Sequence, residues 1–126
     1  MVSAVVPPIA LDRADAGVAV VAVSGEQDVG SAPVLRERIG SALVGRRPVV
    51  IDLTETESID SAILGVLLSG LRRAREQGSG FALVVSDEDG SPVRRVLEIT
   101  GLTVVFPTFS SREPAIGAVR VTAARR

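Results

Sequence analysis

The residues best placed for chemistry are Asp60 and Ser61, which stand in the stretch ESIDSAILGVLL at positions 57–68. An acidic, turn-prone approach runs there directly into apolar residues, which is typical of a helix start. Amides in the first turn of a helix have no partner within it, and the helix dipole favours negative charge at that end. A hydroxyl at this point can cap the helix or carry a phosphoryl group. We interpret Ser61 as the cap.

Most other chemistry is excluded by residue types that the chain lacks. It has no Cys, no His and no Lys, since all 14 of its basic residues are Arg. Thiolate and imidazole catalysis, Schiff bases, disulfides and the usual zinc sites are therefore excluded. The net charge of −1 gives no electrostatic argument for nucleic-acid binding. We expect a protein that is not an enzyme, with no catalytic residue, no metal site and no cofactor.

The remaining candidates are four carboxylates around the second predicted strand. No His or Lys accompanies them to share acid–base work, and their spacing is unlike that of a calcium loop. We interpret them as a solvated acidic loop, made of Asp52, Glu55, Glu57 and Asp60.

The elements that must position Ser61 follow from the hydrophobic pattern. Short apolar runs alternate with segments of helical periodicity, which predicts an α/β fold with helices covering a sheet. The predicted strands are 17–23, 48–53, 81–85 and 103–106, and the predicted helices start at 31, 61, 91 and 111. Residues 54–58 are predicted to be a polar loop. We expect one domain over 1–126, with its core at about 9–120 and a frayed tail at 122–126.

The pattern also bears on location. The N-terminus lacks basic residues and is interrupted by Pro7 and Pro8, which is unlike a signal peptide. The longest apolar runs are far shorter than the roughly 20 residues that span a bilayer. We therefore expect a cytoplasmic protein without membrane insertion.

The helix predicted from Ser61 is apolar over more than one face. Its core stripe is Leu64, Leu67, Leu68 and Leu71, spaced at i, i+3, i+4 and i+7. Ile63 and Val66 lie beside that stripe and are also apolar. Either this end of the helix is deeply buried or its additional face docks a partner.

Three segments together resemble the STAS-domain anti-sigma factor antagonists of bacteria. They are SGEQDVGSAPVLRERI at 24–39, VVIDLTETESIDSAILGVLLSGLRRARE at 49–76 and SPVRRVLEITGLTVVF at 91–106. The resemblance implies a mixed sheet of about four or five strands, with helices packed mainly on one side. It also implies a non-catalytic regulator of transcription. Such antagonists bind an anti-sigma factor that is a GHKL-type serine kinase, and so free a sigma factor. The kinase then phosphorylates a Ser in the signature D-S-S-G.

The chain departs from that signature, which aligns with Asp60-Ser61-Ala62-Ile63. In this alignment the usual acceptor falls on Ala62, so we expect no phosphorylation switch at that position. Ser61 and Ser58 remain as alternative acceptors. The resemblance implies a partner-binding surface made of Asp60, Ser61, Ala62, Ile63 and Val66.

Other functions stay open at this point. The chain could be a STAS accessory or scaffolding module of a transporter or of a larger signalling assembly. A small-molecule or nucleotide sensor is a third hypothesis. The resemblance also leaves open whether the protein forms a homodimer.

Overall fold

The computed structural model describes residues 9–13 and 17–124, and this part of the chain forms one five-stranded sheet and four helices. In chain order the elements are β1 (Ile9–Arg13), β2 (Ala19–Glu26), α1 (Ala32–Leu43), β3 (Val49–Ser58), α2 (Ser61–Glu76), β4 (Phe81–Val84), α3 (Pro92–Ile99), β5 (Thr108–Phe109) and α4 (Arg112–Ala124). The spatial order of the strands follows the chain, and β1 is antiparallel to β2 while the other pairs are parallel. The predicted mixed sheet is confirmed.

Strand alternation divides the apolar residues between two faces of the sheet. On β3, Val49, Ile51 and Leu53 point into the main core, which α1, α2 and α3 cover. Val50 points the other way, into a smaller cluster completed by Ala115 and Val119 of α4. Three helices therefore pack on one face and one on the other, as expected for helices mainly on one side.

The ends of the helices follow local sequence rules at several places. The Ser91 hydroxyl accepts a hydrogen bond from the Arg94 amide at 3.3 Å, and Pro92 occupies the first turn of α3, as predicted. Beyond α1 and α3 the chain turns at Gly45 and Gly101, with φ of 77° and 75°. Glycine takes this left-handed conformation without the steric penalty of a Cβ.

The prediction of a polar loop at 54–58 was wrong, because these residues extend β3. Their backbone pairs with the end of β2, where Glu55 lies opposite Ser24 and Ser58 opposite Glu26. The buried Thr56 hydroxyl also donates to the carbonyl of Val23 at 2.9 Å. The polar side chains gave no sign of a strand, because the strand is formed by backbone hydrogen bonds to β2, which is distant in sequence.

The prediction of a strand at 103–106 was also wrong. Leu102–Val104 is a 3₁₀ turn, and the amide of Phe106 donates to the carbonyl of Leu102 at 3.0 Å. Phe106 turns into the main core, where its ring centroid lies 6.2 Å from that of Phe81. The strand forms later, at Thr108–Phe109. Packing of one aromatic ring here overrides the β propensity of Thr103, Val104 and Val105.

The chain ends differ from expectation as well. Strand β1 was not predicted, and the tail expected to fray from 122 is helical through Ala124. Residues 1–8, on which the assessment of a signal peptide depends, and residues 125–126 lie outside the described residues. Among the described residues, no helix combines the length and the apolar character needed to cross a membrane.

Candidate functional site

Helix α2 begins directly after the carboxyl end of β3, and Asp60 is its cap. The Asp60 side chain accepts a hydrogen bond from the Ile63 amide at 3.1 Å, and its carbonyl accepts one from the Leu64 amide at 3.0 Å. The backbone of Asp60 is extended, whereas Ser61 is the first helical residue. The interpretation of Ser61 as the cap was therefore wrong, since a carboxylate one residue earlier makes the capping hydrogen bond.

With the cap made by Asp60, the Ser61 side chain is exposed at the start of the helix. Its hydroxyl forms no hydrogen bond with any other described residue. The hydroxyl is thus accessible to another molecule, and it lies where first-turn amides and the helix dipole favour negative charge.

The other residues of the expected partner-binding surface divide between surface and core. Ala62 is half-buried, whereas Ile63 is 0% exposed and Val66 is 2% exposed. Both belong to the main core. The second apolar face of α2 is therefore buried, and neither side chain can contact a partner. Their contribution is to fix α2 on the sheet.

The surface that α2 does present was only partly anticipated. Gly65 is exposed on it, and a Cβ built there meets no atom within 4 Å. Leu64 and Leu68, predicted as core, are only half-buried and pack at the margin of the main core. No local signal marks this face, because a second glycine in the same helix, Gly70, is buried.

A neighbouring loop joins the site from β2. The Gln27 amide donates to the carbonyl of Ser58 at 2.9 Å, which ties the loop after β2 to the segment before α2. Val29 in that loop is 72% exposed and offers apolar surface to solvent. Ser58 itself is exposed at the last position of β3.

The four carboxylates do not form the expected solvated loop, because Asp52 is buried. Asp52 is 8% exposed and lies on the α4 side of the sheet. It accepts hydrogen bonds from Arg112 Nε at 2.6 Å and from the Thr54 amide at 2.9 Å. Arg112 also lies 3.5 Å from Asp12 of β1. Glu55 and Glu57 are exposed, as expected.

The charge state of Asp52 follows from these contacts. Burial alone would raise the pKa of Asp52, but hydrogen bonds from Arg112 and Thr54 outweigh it and lower the pKa below its ordinary value. The hydrogen bond to Asp52 likewise raises the pKa of Arg112, against the effect of burial. The pair is therefore charged at neutral pH, and it links β3 to α4.

Neither region has the donor set of a metal centre. Within residues 9–13 and 17–124, no group of three or more acidic, His or Cys side chains could hold a metal ion. At the start of α2 the arrangement offers an accessible hydroxyl, a capping carboxylate and a small, partly apolar surface. Such a site suits modification of the hydroxyl and contact with another protein.

Comparison with known proteins shows similarity over most of the chain. A family model described as STAS domain matches residues 11–115. The chain is 33% identical over 105 residues to the anti-sigma-F factor antagonist RsfB of Mycobacterium tuberculosis, covering 82% of this chain and 83% of that protein. It is 27% identical over 107 residues to the anti-sigma F factor antagonist of Paenibacillus polymyxa, covering 83% and 89%. A solved anti-sigma factor antagonist from Mycobacterium paratuberculosis superposes with a TM-score of 0.78 at 34% identity, covering 89% of this chain and 92% of that one.

Proposed function

The chain belongs to the STAS-domain family, and on that premise we propose that it is an anti-sigma factor antagonist. It binds an anti-sigma factor and thereby releases a sigma factor for transcription, without catalysing a reaction itself. The observation that carries this proposal is the similarity, over more than four fifths of both chains, to two proteins named as anti-sigma factor antagonists. We propose further that the partner is a GHKL-type serine kinase.

The proposed docking surface is the accessible start of α2. It contains Asp60, Ser61, Ala62 and Gly65, and Val29 lies on the adjoining loop. Small side chains allow a partner to approach the helix backbone closely, and Val29 offers apolar area to bury. Ile63 and Val66 support this surface from below.

Ser61 is the proposed phosphate acceptor. Ala62 has no hydroxyl, so phosphorylation at that position is impossible, and the capping role that argued against Ser61 belongs to Asp60. A phosphoryl group adds about −1.5 to −2 charge at neutral pH. Added in the middle of a docking surface, that charge must be desolvated when the partner binds, so phosphorylation opposes the complex. Ser58, three residues earlier, is the second acceptor to test.

The first experiment identifies the partner and then tests the surface. The tagged protein captures interacting proteins from its own cells, and the kinase recovered is purified and its affinity measured by calorimetry. Gly65→Arg adds a long charged side chain to the docking surface, where the space beside the helix is open. We expect it to weaken binding at least about tenfold, equivalent to roughly 1.4 kcal/mol.

Gly117→Arg is the matched control, because Gly117 is also an exposed glycine within a helix and has open space around it. It lies on α4, on the opposite face of the sheet, and should leave the affinity within about twofold. Equal effects of the two substitutions would contradict the proposed surface. Recovery of transporter subunits in place of a kinase would contradict the antagonist function and favour an accessory module.

The acceptor is tested with the same kinase and ATP. Ser61→Ala should abolish incorporation of phosphate, whereas Ser58→Ala should leave it unchanged. The opposite result would move the acceptor to Ser58. Phosphate incorporated equally into both variants would place the acceptor elsewhere in the chain.

A further inference from the structure

The cap of α2 and the proposed phosphate acceptor are adjacent residues beside the same first turn of helix amides. Asp60 holds the Ile63 amide at 3.1 Å through Oδ1. Ser61 follows it with an exposed side chain, and the amides of Ser61 and Ala62 donate to no described group. A phosphoryl group on the Ser61 hydroxyl would be confined by its covalent bond to the neighbourhood of these amides.

Two anions cannot both occupy this position favourably. A helix N-terminus stabilises negative charge, and a phosphate offers about twice the charge of a carboxylate and three acceptor oxygens. The half-buried Asp60 side chain can rotate toward water once its hydrogen bond is lost. Repulsion between the two anions favours this rotation.

We propose that Asp60 is the positioning residue that responds to phosphorylation of Ser61. In the unmodified chain its carboxylate caps α2, and the Ser61 side chain is exposed beside it. In the phosphorylated chain the phosphate takes the first-turn amides, Ile63 included, and displaces the Asp60 carboxylate to the surface. The partner then meets two exposed anions where it had met a neutral hydroxyl beside a carboxylate turned to the helix. This inference depends on Ser61 being the acceptor, as proposed above.

The test needs neither the kinase nor the anti-sigma factor. Phosphoserine is incorporated at position 61 during synthesis of the full chain, and the backbone amides are observed by NMR as a function of pH. We expect the Ile63 amide proton to move downfield and to titrate with the phosphate, near pH 6 as for free phosphoserine. An Ile63 amide whose shift is unaffected by phosphorylation overturns the proposal.

A second measurement compares the effect of phosphorylation on thermal unfolding in two variants. Asp60→Asn keeps a good capping side chain but removes the charge, so it should fold normally. Phosphorylation should raise its unfolding midpoint by roughly 4 °C more than that of the unsubstituted chain. Glu57→Gln is the control, since it removes an exposed charge three residues earlier that caps no helix. Equal coupling of the phosphate to both positions would show general charge repulsion and overturn the role of Asp60.

These outcomes are independent of the antagonist function. A chain that shows the Ile63 shift yet binds no anti-sigma factor would refute the proposed partner and keep the role of Asp60. A chain that binds the kinase but shows no shift of the Ile63 amide would support the proposed partner and refute the role of Asp60.

Discussion

Asp52 and Asp60 stand eight residues apart in the sequence, and each lies near the start of a helix. Asp60 caps α2 directly and remains in partial contact with water. Asp52 is buried on β3, on the α4 side of the sheet, and contacts Arg112, the first residue of α4. A cation at a helix N-terminus is disfavoured by the helix dipole. Arg112 is held there by the carboxylate that it neutralises.

The comparison shows that the role of an aspartate depends on its burial. A partly exposed carboxylate can lose its partner and be hydrated, so Asp60 can take part in a switch. Asp52 is 8% exposed and its carboxylate depends on Arg112 and Thr54 for its hydrogen bonds, so we expect it to be a fixed structural element. The two residues therefore predict different responses to mutation and to acid.

The largest effect is expected from removing the partner of Asp52. Arg112→Met keeps an unbranched apolar stem but removes the guanidinium, which leaves the buried carboxylate without its counter-ion. We expect a loss of about 2 kcal/mol in the free energy of unfolding, below the usual range for a fully buried pair because Arg112 is 42% exposed. Urea denaturation measures it. The control is Arg38→Met, which breaks the exposed ion pair with Glu37 and should cost less than about 0.5 kcal/mol.

Acid should weaken the same contact in a defined direction. Because the pKa of Asp52 is lowered in the folded chain, its stabilisation is present above the unfolded pKa of about 3.9 and is lost as the pH falls through the folded value. Asp52→Asn should therefore be less stable than the unsubstituted chain at neutral pH. The difference should narrow below about pH 4. Urea midpoints across this range measure it, and a difference independent of pH would contradict the ion pair.

A smaller effect is expected at Asp60. Asp60→Ala removes the cap of α2 and should lower the free energy of unfolding by about 1 kcal/mol. Asp60→Ser restores a capping oxygen and should recover most of that loss. Chemical denaturation of the two variants distinguishes a capping role from a general role of the charge. If the Ser variant is as unstable as the Ala variant, the hydrogen bond to the Ile63 amide is not what stabilises the helix.

The smallest effect on the free energy of unfolding is expected at Ser61, the residue after Asp60. Ser61→Ala removes an exposed hydroxyl that bonds to no described residue, so stability should change by less than about 0.5 kcal/mol. The same variant should be fully resistant to the kinase. A large loss of stability would mean that Ser61 caps the helix after all.

Much of the fold could be predicted from the pattern of residues. Ser91-Pro92 and Gly101 correctly predicted the start and the end of α3. The helical spacing of apolar residues correctly predicted the buried face of α1, which is made of Leu35, Ile39, Ala42 and Leu43. These signals are local, because they depend on a cap, a turn residue or the period of one helix. The predictions were wrong where contacts between residues distant in sequence determine the secondary structure. Examples are the hydrogen bond from Thr56 to Val23 and the packing of Phe106 on Phe81.

For the candidate site, the sequence by itself determined the place, at the junction of an acidic segment and an apolar helix. It also determined that the chain has no Cys, His or Lys for catalysis. Tertiary structure alone decided the roles of the residues there. Whether Asp60 or Ser61 caps α2 depends on the position at which the extended backbone after β3 ends and the helix begins. The burial of Ile63 and Val66 depends on how α2 packs on the sheet. The pairing of Asp52 with Arg112 spans 60 residues, and such a contact exists only once β3 and α4 have been brought together.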